Sequence, residues 1–256
     1  KNEVMETTLQ ARKQWTGFDG SPSTATFTIH SPLKNKSMAL GLSVIADKIG
    51  STSNQFISGI YAYRFRVKNT FCSFGLQAGI DFSRTDWESL KRNDVSDNLI
   101  VGQQKNKTGL TTGFGYYMHN DLFALGVSIP YLVNTTSAKS IGSSPILFNG
   151  SYNVLLKDSS QLRPNFLVRY EMGTPTQVDL GLMYYSKIKI GGGLSYRYNE
   201  SVIAILEFAA HKDLKFAYSY DFGVNKLRKY HNGSHELMVR FYVRMKKKDA
   251  PVEEGK

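Results

Sequence analysis

The sequence predicts an all-β protein: an antiparallel transmembrane β-barrel of about fourteen strands, with both termini on the periplasmic side. Three observations predict it. The first is a period of two, as in "LKFAYSYDF" (214–222), where Leu214, Phe216, Tyr218, Tyr220 and Phe222 alternate with Lys215, Ala217, Ser219 and Asp221. That spacing belongs to a β-strand with one apolar and one polar face. The second is that long connections fall only in odd-numbered gaps between candidate strands. The third is that the apolar faces carry almost no charge over the strand centres, as a bilayer demands.

Taken in order, the first candidate strand runs over 5–15 and ends on Trp15, where an indole can keep one side apolar and its N–H wet at a membrane interface. "TGFDGSPS" (16–23) follows as a Gly/Pro-punctuated loop, read first as a structural turn and second as a docking surface. Weaker alternation marks 24–33 and 38–47; "IYAYRFRVK" (60–68) sets Tyr61, Tyr63, Phe65 and Val67 against Ala62, Arg64, Arg66 and Lys68. Strands are then expected at 71–84, 110–119, 123–133 and 146–156. "LRPNFLVRY" (162–170), 177–186, "IKIGGGLSYRY" (188–198), "VIAILEFAA" (202–210), 214–222 and "ELMVRFYVR" (236–244) complete the count. Nothing of ten or more residues shows helical spacing, and the barrel is assigned to 1–245 with a polar tail at 246–256, expected to be disordered.

The connections choose the solvent. Short gaps are "KNK" (34–36), "KNT" (68–70), "HND" (119–121), "KDSS" (157–160), 186–187 and "HKD" (211–213), whereas 86–106, 134–145 and 223–233 are long. A soluble sandwich has no cause to sort loops by parity. An outer-membrane barrel has short periplasmic turns and longer outer loops. The polar faces agree: Asp47, Asp81, Asp179, Glu207 and Asp221 are interspersed with Arg64, Arg163, Arg169, Arg197, Lys215 and Arg240, which suits a lumen where charges pair or meet water. Closure also removes the bare strand edges that lipid cannot satisfy.

Composition narrows function. The chain has 256 residues, 30 of them Tyr or Phe and 22 Gly, which suits closely spaced strands and not disorder. Cys72 is the single cysteine, so no internal disulfide or cysteine metal cluster exists, and it is expected to pack as a small apolar residue. No apolar run approaches the roughly 18 residues of a membrane helix. No basic-then-apolar leader opens at Lys1, so the chain is read as one that never had a leader or starts after its removal. The net charge of +11 favours anionic partners. No cofactor or metal site is expected: His30, His119, His211, His231 and His235 lack helical metal-ligand spacing, and "GGGL" precedes no helix. His30, Ser31 and Asn35 form too generic a grouping for an outer-membrane phospholipase site. The basic run "NKLRKYH" (225–231) is assigned to lipid A phosphates or an acidic protein surface, not nucleic acid.

"RKQWTGFDGSPSTATFTIHSPL" (12–33) resembles the opening signature of the PorP/SprF family, outer-membrane proteins of the type IX secretion system in Bacteroidetes. "GLSVIADKIG" (41–50), "GLSYR" (193–197), "YSYDF" (218–222) and "GSHEL" (233–237) follow in the family's order. In the last piece His235 is expected to face lipid or interface and Glu236 the lumen, in a barrel-closing role. Family members usually carry a signal peptide and a short Asn-Pro-containing segment before the first strand; this chain starts near that strand, which implies a mature or trimmed form. The resemblance implies a non-enzymatic barrel of the secretion and gliding-motility apparatus. Such a barrel supports secretion or surface anchoring of a large adhesin-like cargo through the cargo's C-terminal domain, alongside other secretion components, outer-membrane lipid and lipopolysaccharide. Candidate partner-binding residues on the outer loops are Trp15, Phe18, Asp19, Trp87, Lys226, Arg228, Lys229 and Tyr230. An outer-membrane channel or hydrophobic-compound transporter is the alternative, and a soluble sugar- or lipid-binding β-protein a third class.

Overall fold

The computed structural model describes residues 4–35, 37–86, 106–135 and 144–244. In chain order the strands are β1 (Val4–Lys13), β2 (Ser23–Pro32), β3 (Met38–Ile49), β4 (Thr52–Val67), β5 (Thr70–Thr85), β6 (Asn106–His119) and β7 (Phe123–Asn134). Next come β8 (Ile146–Tyr152, resumed after Asn153 as Val154–Leu155), β9 (Gln161–Tyr170), β10 (Gln177–Tyr185), β11 (Ile190–Arg197), β12 (Ser201–His211), β13 (Leu214–Gly223) and β14 (Ser234–Arg244). Each pairs antiparallel with its sequence neighbours, and β1 pairs with β14 from Val4↔Arg244 to Lys13↔His235. The sheet is therefore a closed fourteen-stranded barrel, with the tail 246–256 outside the described residues.

Partners directly opposite in an antiparallel ladder share a face, so the register sorts side chains without ambiguity. Leu76 pairs with Tyr61 on one side and Phe114 on the other, and all three are exposed. Leu194, Leu206 and Leu237 are each about 60% exposed. Buried apolar side chains among the described residues are only Phe56, Cys72, Met183 and Ile203. A soluble fold cannot leave that much contiguous apolar surface in water; the wall faces hydrocarbon.

Three elements differ from their sequence reading. β4 begins at Thr52 instead of 60, because "TSNQFISG" places Ser53, Gln55 and Gly59 on the outer face and Phe56 inside, so apolar alternation is lost while both ladders continue. β1 stops at Lys13, and Trp15 lies beyond it at φ 48°, a left-handed conformation uncommon for a non-glycine residue. β8 is broken at Asn153, whose side chain accepts from Arg163 Nε (2.7 Å) and donates to the Asp121 carbonyl (3.0 Å).

A bulge tunes the interior. Thr112 pairs with Val133 and Phe114 with Ile129, so β7 carries two extra residues around Pro130, which has no N–H to give to a ladder. A side chain at Gly113 would meet the Pro130 carbonyl at 2.7 Å, which is why glycine stands opposite. The distortion lets the Tyr131 ring reach Phe56 edge-on (5.6 Å). Since β5 and β6 lie between β4 and β7 around the wall, this contact crosses the interior.

Candidate functional site

Connections 14–22, 50–51 and 224–233 and the strand ends Thr85, Asn106, Asn134 and Ile146 lie at one end of the barrel; turns 68–69, 120–122 and 212–213 lie at the other. At the first end, closure of β1 on β14 sets connection 14–22 beside 224–233. The two are knitted together: Thr16 N–H donates to the Gly233 carbonyl (2.8 Å) and Asn232 N–H to that of Thr16 (2.7 Å). Trp15 N–H reaches Ser234 Oγ (3.1 Å). On the far side Gly50 N–H donates to the Gly20 carbonyl (2.9 Å), so turn 50–51 joins the same platform.

The expected partner-binding residues fall on this platform with one exception. Trp15 is half-buried with its ring 6.2 Å from His231, holding the loops together more than offering a free face. Phe18, at 52% exposure, and Asp19 stand at the tip of 14–22. Lys226, Arg228, Lys229 and Tyr230 lie on one 3-10 turn (Lys226–Tyr230), whose N-cap Asn225 accepts from Leu227 N–H (3.0 Å); all four are exposed. Arg228 is turned outward, its guanidinium 4.1 Å above the lipid-facing ring of Phe222. Trp87 lies outside the described residues.

Beneath the platform the lumen wall holds a charge network. Arg12 donates to Asp221 (2.6 Å) and Glu236 (3.0 Å), while Arg197 reaches Asp179 (3.1 Å), Glu200 (3.3 Å) and Asp221 (3.7 Å). Asp221 therefore sits between two guanidinium groups, with 5% of its side chain exposed. The inward parity of Asp179, Arg197, Asp221 and Glu236 was legible in sequence; Arg12 was missed as their partner, although it shares the polar face of β1 with Thr8 and Gln10. His235 takes the outer face, where its Nδ1 is 2.7 Å from the Tyr218 hydroxyl. Further along, Lys215 pairs with Glu207 (3.3 Å) and Arg240 with Glu6 (3.2 Å).

His30 and Ser31, the pair the sequence offered for a nucleophile site, are not brought together. His30 faces the lumen towards Glu6 (4.0 Å), whereas Ser31, the next residue of β2, turns to the opposite face. Among the described residues no three His, Cys, Asp or Glu side chains are grouped to hold a metal. Cys72 is buried.

A family model described as type IX secretion system membrane protein PorP/SprF matches residues 1–241, which is the barrel up to the last three residues of β14. The chain belongs to the PorP/SprF family. No curated protein matches it. Among solved structures, the Acinetobacter baumannii outer membrane protein Omp33 superposes with a TM-score of 0.53 at 9% identity, over 95% of this chain and 100% of that one. Escherichia coli outer membrane phospholipase A superposes at 0.46 and 11% identity, over 93% and 92% of the two chains. At these identities the likeness to Omp33 concerns the fold alone. With the family and the lipid-facing wall, it makes this PorP/SprF protein an outer-membrane barrel with a role in type IX secretion.

Proposed function

We propose that this PorP/SprF barrel is a non-enzymatic scaffold of the type IX secretion and gliding-motility apparatus. It holds a specific large adhesin-like cargo at the cell surface, or supports its secretion, by binding the cargo's C-terminal domain at the long-loop end. Both termini lie in the periplasm, where other secretion components meet the short turns. The observation that carries this reading is the knitted platform of 14–22, 50–51 and 224–233, which presents Phe18 and Tyr230 exposed beside Lys226 and Lys229. A closed barrel has no free edge for strand addition, so loops must supply the contact. Exposed aromatic and cationic side chains on a rigid base suit such an anchor.

Two experiments test it. With a photo-crosslinking amino acid in native membranes, Phe18 and Tyr230 should each give an adduct with one large surface protein, and Val67 at the opposite end should not. Equal adducts from all three positions would remove the platform from the interaction. In planar bilayers the purified barrel should pass no large steady current. The Phe56–Tyr131 contact across the interior and the buried, inward-facing Met183 and Ile203 support this expectation. A wide ohmic conductance would return the channel reading.

A further inference from the structure

The outer wall at the long-loop end is uneven in a way the platform does not explain. One cross-strand row reads Tyr218, Leu237, Ala11, Ala25, Ala46, Gln55 and Phe82 over β13, β14 and β1–β5, each residue directly opposite the next. Three successive alanines between large side chains leave a depression of about 670 Å³, open to the membrane side. One step nearer the loops, the parallel row reads His235, Lys13, Ser23, Lys48, Ser53 and Arg84. Cations thus stand on β1, β3 and β5, separated by serines on β2 and β4. Neighbouring strands lie about 4.8 Å apart, so successive cations are spaced by roughly 10 Å.

Among the described residues the outward-parity carboxylate nearest them is Asp86, which lines one hollow with Lys48 and Arg84; Lys13 is not part of that lining. Lys13 Nζ donates to the uncharged Ser21 carbonyl (3.0 Å). Lys48 and Arg84 are exposed and make no ion pair among the described residues. The nearby strand carboxylates Asp47, Asp221 and Glu236 all take the lumen parity. Cations at interfacial depth above an apolar hollow match one chemistry: phosphates at headgroup level with a hydrocarbon chain directly below.

We propose that this groove is a binding site for a phosphorylated, multiply acylated glycolipid of the outer leaflet. The phosphates bridge Lys13 and Lys48, with Arg84 in reach, and an acyl chain lies over Ala11, Ala25 and Ala46. The assignment of the lipid to the outer leaflet rests on the orientation proposed above, with the long loops outside; the cargo reading plays no part in it. The site is separate from the loop cations Lys226, Arg228 and Lys229.

Native mass spectrometry of the detergent-purified full chain, titrated with diphosphoryl lipid A and separately with phosphatidylethanolamine, tests the site. Wild type should retain lipid A in preference to phosphatidylethanolamine. Lys13→Gln/Lys48→Gln should weaken lipid A retention by about twenty-fivefold, taking about fivefold for each cation near an anionic headgroup. Lys187→Gln/Lys212→Gln, exposed in turns at the opposite end of the barrel, should leave it unchanged. Ala46→Leu, which fills the hollow and keeps both lysines, should also reduce retention. Both variants carry exposed substitutions, and heat-modified gel mobility confirms that they fold. Equal retention of the two lipids, unchanged binding by the double lysine variant, or displacement of lipid by a co-purifying protein would each overturn the site. Surface labelling of Lys226→Cys on intact cells reads orientation independently, so a failed orientation and a failed lipid site give different results.

Discussion

Leu76→Arg should destabilise the folded barrel in phospholipid vesicles by about 2–4 kcal/mol, whereas Val67→Arg should cost about 0–1 kcal/mol. Both residues are outward-facing and at least half exposed, at 59% and 50%. They differ in depth. Leu76 lies near the middle of β5, flanked by Tyr61 and Phe114, and an arginine there cannot reach a headgroup without deforming the bilayer. Val67 ends β4 against turn 68–69, where the same side chain can extend into the interface. Denaturant titration of the vesicle-folded protein, followed by heat-modified mobility, gives both values. Equal costs would mean that depth does not matter and that this wall does not meet hydrocarbon.

The second large effect lies on the other face. Asp221→Ala should cost about 3 kcal/mol, because it removes the 2.6 Å acceptor of the Arg12 guanidinium, a carboxylate that also faces Arg197, and leaves that donor unsatisfied where only 19% of the arginine side chain is exposed. The loss comes less from the missing pair than from cations left without their central acceptor. Replacing both ends, as in Arg12→Leu/Asp221→Leu, should recover part of it. By contrast Arg244→Ala removes a pair of similar length with Asp213 (2.8 Å) but, with 60% of the arginine exposed, should change stability by less than about 1 kcal/mol. A loss for Asp221→Ala no larger than that for Arg244→Ala would show the lumen network to be solvated like a surface.

The strand inventory was legible because alternation is a local property. In β13 the outward Phe216, Tyr218 and Phe222 and the inward Asp221 stand where parity puts them. Legibility failed where a strand turns small or polar residues outward. The first half of β4 presents Ser53, Gln55 and Gly59 on the outer face with only Ile57 large and apolar, so the pattern that reveals strands thins out while the strand persists. The bulge at Pro130 was hidden for a related reason, since two inserted residues preserve outward parity on either side and leave the alternation looking intact.

The site was less legible. Phe18, Asp19, Lys226 and Tyr230 could be singled out as loop residues, but not as occupants of one platform, because more than 200 positions separate 14–22 from 224–233. The alanines of the outer groove looked like weak alternation within three separate strands.

By itself, the sequence determined the strand number, the face each side chain takes and the end at which the long loops gather, because a period of two and loop length depend only on neighbours along the chain. Only the tertiary structure decided the register in which β1 closes on β14. Closure fixed which loops fuse, that Arg12 meets Asp221, and that Ala11, Ala25 and Ala46 fall in one row beneath Lys13 and Lys48. Those outcomes depend on cross-strand register, which is set by the whole ring of hydrogen bonds closing at once.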